Sequence, residues 1–261
     1  MTAPIALQLY TVREALARDF AGIMKQIADI GYVGVEPVFH PSASSGHGLP
    51  GTTIGEAARL FKELNLVVPS AHVPLPLGED QNRVLDFMAA LGCKRLISMK
   101  GPESFETMDL VKQTCDLFNE AHAVAAENGL ELGIHNHWWE FLQIEGRYAY
   151  RVMLEHLDPA IFFQIDTYWV QTAGLDPAQV VRELGPRAPL LHIKDGPAVK
   201  GEPQVAVGDG VLDVPRIIQA AEGTAEWLIV ELDHCATDMM EAVEKSYQYL
   251  VGGGFAHGNK G

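Results

Sequence analysis

Short apolar runs in this chain repeatedly finish in residues able to hold a cation or move a proton. Gln8 and Tyr10 close IALQLY (5–10), Glu36 closes VGVE (33–36), and His72 closes VVPSAH (67–72). Lys100 follows KRLISM (94–99). LELGIHNH (130–137) ends in His135, Asn136 and His137, and Trp138, Trp139 and Glu140 come next. Asp166 ends IFFQID (161–166), His192 and Lys194 sit in PLLHIK (189–194), and Glu231 lies in WLIVEL (227–232), just before Asp233 and His234. Singly, each has a plain structural role. A strand-end Asp caps the next helix, a His is a hydrogen-bonded core residue, and adjacent indoles pack. As a set they are costly to bury unless paired or bound to a cation. Carboxylate oxygen and imidazole nitrogen suit Mn, Mg, Zn or Co, whereas thiolate-selective metals find no site.

The elements that must position these residues follow from periodicity. Eight apolar runs, bounded by turn residues, have the length of strands buried on both faces. Between them the period becomes helical. Leu16, Phe20, Ile23, Met24, Ile27 and Ile30 share one face, and Gly31 ends that helix. Stretches 56–64, 81–91, 110–126, 149–157, 177–184, 214–221 and 239–251 read the same way. Eight strands alternating with eight helices predict an α/β protein with a parallel sheet and right-handed crossovers, closed as a single-domain (β/α)8 TIM barrel over 1–261. A doubly wound open sheet is the alternative. In a barrel, polar strand ends converge on one catalytic face. The small residues of 41–52 (PSASSGHGLPGT) read as a loop and possible lid, and 252–261 reads as a frayed tail.

Composition excludes other classes. With 19 basic and 34 acidic residues the net charge is −15, which disfavours a nucleic-acid groove. No apolar stretch reaches the roughly 18 residues of a membrane span. The opening MTAPIALQLYTVRE lacks a secretory pattern, and Cys93, Cys115 and Cys235 are odd in number and widely spaced. A cytoplasmic protein without membrane or nucleic-acid partners is expected. Gly208-Asp209-Gly210 lacks a third glycine and reads as a loop, Gly252-Gly253-Gly254 reads as a helix end, and no nucleophile elbow or P-loop is present. Cys235, beside His234, is the one cysteine with a polar context.

The segments LQLYTVRE, IHNHWWEF, IDTYWV, LLHIKDG, GDGVLDVPRI and VELDH, in that order along nearly the whole chain, resemble the xylose isomerase-like TIM-barrel superfamily. The resemblance implies one divalent cation held by a carboxylate of the fifth strand and by Asp166, His192 and Glu231. The fifth-strand position departs from the pattern, with His135 where many relatives have Glu. Either His135 takes over or Glu140 reaches in from the loop, and a third carboxylate balances a hard dication better. The implied function is sugar isomerisation or epimerisation of a keto-sugar or polyol through a metal-stabilised enediolate. Glu140, Glu231, His135 and His137 are candidate acid–base groups. Lys194 either assists an oxyanion or forms a salt bridge with Asp195 or a nearby carboxylate. Gln8, Tyr10, Glu36, His72, Trp138, Tyr168 and Trp169 are the candidate substrate contacts. Loss of a β-substituent from the same enediolate makes a lyase the runner-up, and a non-catalytic sugar-binding protein is the alternative of another class. A homo-oligomer is compatible with the resemblance.

Overall fold

The computed structural model describes residues 2–39 and 49–260. All eight expected strands form: β1 Ile5–Gln8, β2 Gly34–Glu36, β3 Ala71–His72, β4 Arg95–Ser98, β5 Glu131–His135, β6 Phe162–Asp166, β7 Leu190–Ile193 and β8 Trp227–Val230. They pair in parallel in the order β2-β1-β8-β7-β6-β5-β4-β3. Bridges Gly34–Val67 and Val38–His72 draw the two outer strands together, so the ring is nearly closed. The open-sheet alternative is excluded. A short antiparallel hairpin, Gln143–Ile144 with Arg147–Tyr148, decorates the segment after β5.

Helices surround the barrel: α1 Arg13–Arg18, α2 Phe20–Ile30, α3 Ile54–Glu63, α4 Gln81–Leu91, α5 Met108–Glu127, α6 Ala149–His156, α7 Thr167–Thr172, α8 Pro177–Leu184, α9 Val214–Ala220 and α10 Met239–Gly252. Two differ from the sequence expectation. The first expected helix is split because Asp19 leaves helical geometry and its carboxylate accepts from Gly22 N at 2.9 Å, starting α2 afresh. α7 is too short for a periodic signal; it starts because Asp166 Oδ1 accepts from Trp169 N at 2.9 Å. The expected loop and lid at 41–52 falls largely outside the described residues.

The tail expectation is corrected. Residues after α10 lie along the start of the chain, with Ile5 N donating to His257 O and His257 N to Ala3 O, both at 3.0 Å. Asn259 N donates to Gly31 O, and the Tyr247 hydroxyl donates to Lys260 O at 2.7 Å. Ala256 is buried there. No helix among the described residues is long and apolar enough to cross a membrane.

Inside the barrel, side chains two residues apart share a face. At the N-terminal end, Ala6, Ile97, Phe162, Leu190 and Ile229 form an apolar plug with Trp227 packed against it. Gly133 and Gly34 make room for its aromatic rings: a Cβ at Gly133 would stand 2.3 Å from Phe162, and one at Gly34 2.7 Å from Trp227. One strand period further along lie Gln8, Glu36, His135, Gln164, His192 and Glu231, all buried. The apolar plug is thus the floor on which a polar layer rests.

Candidate active site at the strand ends

Glu36 is the centre of that polar layer. Its Oε1 accepts from Ser70 Oγ and Gln164 Nε2, both at 2.5 Å, and its Oε2 from Gln8 Nε2 at 2.6 Å and His192 Nε2 at 2.7 Å. His72 Nε2 lies 3.3 Å from the same Oε2. Burial alone would raise this carboxyl, but the His72 and His192 imidazoles and their hydrogen bonds outweigh it and hold Glu36 well below the usual carboxylate range. With every lone pair facing a donor and no exposed surface, Glu36 lies beneath the site and has no free oxygen for a substrate, unlike its sequence assignment. Gln8, whose Oε1 accepts from Tyr10 N, is equally enclosed. Tyr10 lies under the Arg13 guanidinium, 4.0 Å from its ring centre.

Beside Glu36, His135, Asp166, His192 and Glu231 each bring one ligand atom within 4.8 Å of the others. His72, His135 and His192 form an overlapping group of three within the same distance. His192 is spanned by two carboxylates, with Nδ1 on Glu231 Oε2 at 2.7 Å and Nε2 on Glu36. Burial would lower this imidazole, yet Glu231 and Glu36 push it up to about 10. Lys194, buried beside it, contacts Glu231 Oε2 and Asp233 Oδ2 at 2.8 Å and Asp166 Oδ2 at 3.0 Å. Its salt bridges are to these three carboxylates rather than to Asp195. Asp195 instead accepts from Gly196 N, Gly208 N and Leu212 N and folds the loop that follows β7.

Burial and neighbouring charge oppose each other across this group. Burial raises Glu231, but Lys194 and His192 outweigh it and keep its carboxyl well below the ordinary value. Burial pushes Asp166 up to about 6 against the pull of Lys194 and His192. Burial lowers His135 well below the ordinary imidazole value and His137 to about 4, with His192 and Lys194 respectively adding to the effect.

Glu140 lies outside the four-residue group, which takes in His135 in its place. Glu140 Oε2 accepts from His137 N at 2.9 Å, while Oε1 is buried with no hydrogen-bond partner. Burial pushes its carboxyl up to about 8, only partly offset by backbone N–H groups. His137 stacks on Trp139 with ring centres 4.2 Å apart, and Trp139 Nε1 donates to Lys100 O at 3.1 Å. Trp138 and Trp169, 5.2 Å apart, continue this wall, and Lys194 Nζ stands 5.5 Å from the Trp169 ring centre. Buried His137 Nδ1 and Trp169 Nε1 have no partner. Tyr168 is enclosed rather than presented as a stacking face. Asn136 ties the ends of β5 and β6 together, accepting from Asp166 N and donating to Asp166 O. Cys235 Sγ lies 3.4 Å from Thr237 Oγ1, apart from the group.

A divalent cation fits the donors present. Two carboxylates and two imidazoles converge. A cavity of about 790 Å³ lies elsewhere, between α9 and the segment 254–255, and no histidine lines it. Chemistry, not volume, marks the site.

Gln164 and Ser70 were not singled out in the sequence. The signal was period two: Gln164 shares a face with Asp166, and Ser70 with His72.

No curated protein matches the chain. Among solved structures, a sugar phosphate isomerase/epimerase from Parabacteroides distasonis ATCC 8503 is similar at 24% identity and a TM-score of 0.83, covering 98% of this chain and 96% of that one. An L-ribulose 3-epimerase is similar at 17% identity and 0.72, covering 97% and 94%. A probable 3-DHS dehydratase from Bacillus anthracis is similar at 13% and 0.73, covering 95% and 98%. At these identities the likeness is one of fold. The model of the xylose isomerase-like TIM barrel matches residues 24–250, most of the chain, and the chain belongs to that family.

Proposed function

We propose that this chain is a divalent-metal-dependent isomerase or epimerase of a keto-sugar or polyol. The observation that carries the reading is the convergence of His135, Asp166, His192 and Glu231 at the catalytic end of the barrel. They would hold the cation, and Glu140, outside that group, is left for acid–base chemistry. A bound Mn, Mg, Zn or Co ion would supply Lewis-acid polarisation of a substrate carbonyl. Glu231 is ionised at neutral pH and is the group suited to take the proton from the adjacent C–H. Glu140 keeps its own proton there, because burial has pushed it up to about 8, and is suited to return one. Neutral His135 and His137 are further acceptors beside them. Lys194 neutralises the carboxylates and can donate to a developing oxyanion. Trp138 and Trp169 offer ring faces for the apolar side of a sugar.

The protonated Glu140 also favours a second reading. If its proton goes to a departing β-oxygen rather than to carbon, the same site is a lyase. Incubation with ketoses in D₂O and Mn²⁺ tests the first reading. Deuterium should enter at the carbon next to the carbonyl, and Glu231→Gln should slow that exchange by about 10²–10⁴-fold without changing the circular dichroism. Exchange indifferent to both EDTA and Glu231→Gln would sink it, and release of water or an alcohol would select the lyase.

A further inference from the structure

We propose that Glu36 and Gln164 are positioning residues that fix which nitrogen the buried His135 presents to the site, namely Nε2. The inference rests on the metal-dependent reading only where it speaks of cation affinity.

The reasoning starts from Glu36, which as a carboxylate can only accept. The side chain of Gln164 places one terminal atom 2.5 Å from Glu36 Oε1, and that atom must therefore be the amide nitrogen. The amide oxygen then faces the opposite way. There it meets His72 Nε2 at 2.7 Å and His135 Nδ1 at 3.2 Å. An amide oxygen only accepts, so both of these ring nitrogens carry hydrogen. His135 is thus left with its lone pair on Nε2, the one nitrogen through which a neutral imidazole can bind a cation or take a proton. The same acceptor-only logic applies on the other side of Glu36. His192 Nε2 stands 2.7 Å from Oε2 and must donate, and its Nδ1, 2.7 Å from Glu231 Oε2, faces a second carboxylate, so both of its ring nitrogens carry hydrogen in the metal-free chain.

Ser70 and Gln8 complete the arrangement. Each donates to Glu36, and Gln8 is itself fixed by Tyr10 N, so the carboxylate has no freedom to rotate. One charged oxygen pair therefore holds His192 directly and sets His72 and His135 through an amide. Neither Glu36 nor Gln164 is exposed, so their effect on the site passes through the histidines. Partners of this kind, removed from a metal's ligands, typically cost 10–100-fold in affinity.

The test uses the full-length ¹⁵N-labelled chain, with histidine side-chain nitrogens read by long-range ¹H–¹⁵N spectra before and after addition of Zn²⁺. The His135 signals are assigned from the His135→Asn variant. The expected metal-free pattern is a protonated Nδ1 and unprotonated Nε2 at His135. Gln164→Met, which keeps the side-chain shape and removes the acceptor, should convert His135 to a mixture of tautomers and weaken Zn²⁺ binding about 10–100-fold by calorimetry. Glu36→Gln should weaken it by a similar factor. If Glu36→Gln does not fold, Gln164→Met decides alone. A protonated Nε2 at His135 in the unaltered chain overturns the inference, as does unchanged Zn²⁺ affinity in both variants. If the unaltered chain binds no Zn²⁺, the metal reading fails, and the His135 tautomer in the metal-free chain still decides whether Gln164 positions it.

Discussion

Glu36 and Glu140 are the same residue type, both buried in one barrel, and they behave oppositely. Glu36, on the floor, has five donor atoms within reach of its two oxygens and is held ionised. Glu140, in the loop after β5, has one hydrogen-bonded oxygen and one without a partner, and its carboxyl climbs to about 8. Burial pushes both upward, and the number of donors decides the outcome. The lesson is about division of labour. A saturated carboxylate can organise its neighbours but has nothing left to offer a ligand. An unsaturated one is poorly placed for stability and available for chemistry.

The largest expected effect tests the saturated member. Glu36→Leu leaves its donors without an acceptor and should cost about 3–5 kcal/mol in urea unfolding. Glu140→Gln, a neutral group for a neutral group below pH 4.5, should change the stability of the metal-free chain by less than about 1 kcal/mol at pH 4. Equal losses for the two would break the contrast.

The next effect is in pH. Because the folded-state value of Glu140 is raised from 4.5 to about 8, the folded chain holds the extra proton in that window. Its contribution is full below 4.5 and is lost as pH rises towards 8, with a slope of up to about 1.4 kcal/mol per pH unit. Glu36 runs the other way: its value is depressed, so its contribution is full above 4.5 and is lost as pH falls below that. Unfolding curves of the metal-free chain should therefore flatten between pH 5 and 8 in Glu140→Gln, relative to the unaltered chain. An unaltered slope would show that Glu140 does not carry the proton.

The smallest effect is graded. Ser70→Ala removes one donor of the Glu36 set and should cost about 1 kcal/mol. A cost as large as that of Glu36→Leu would mean that the donors act as one indivisible unit.

The barrel was legible because strands buried on both faces leave unbroken apolar runs, and the site because those runs end in polar residues. The ends of the first helix and α7 were not legible, since Asp19 and Asp166 act through local caps that carry no periodicity. The roles of Glu36 and Gln8 were misread for a different reason. A sequence places a carboxylate at a strand end but does not show how many donors the other strands turn towards it. Nor does it reveal a partner such as Gln164, which sits on another strand and acts through geometry alone.

The pairing of β1 with β8 joins Ile5 to Leu228 and Leu7 to Val230, nearly the full separation the chain allows. In kinetic terms, β1 keeps one edge unpaired until the last strand is available, and ring closure is a late, non-local event. The segment around His257 then lies across the start of β1 as a latch. A chain shortened before that latch should close its ring more slowly and expose the β1 edge for longer.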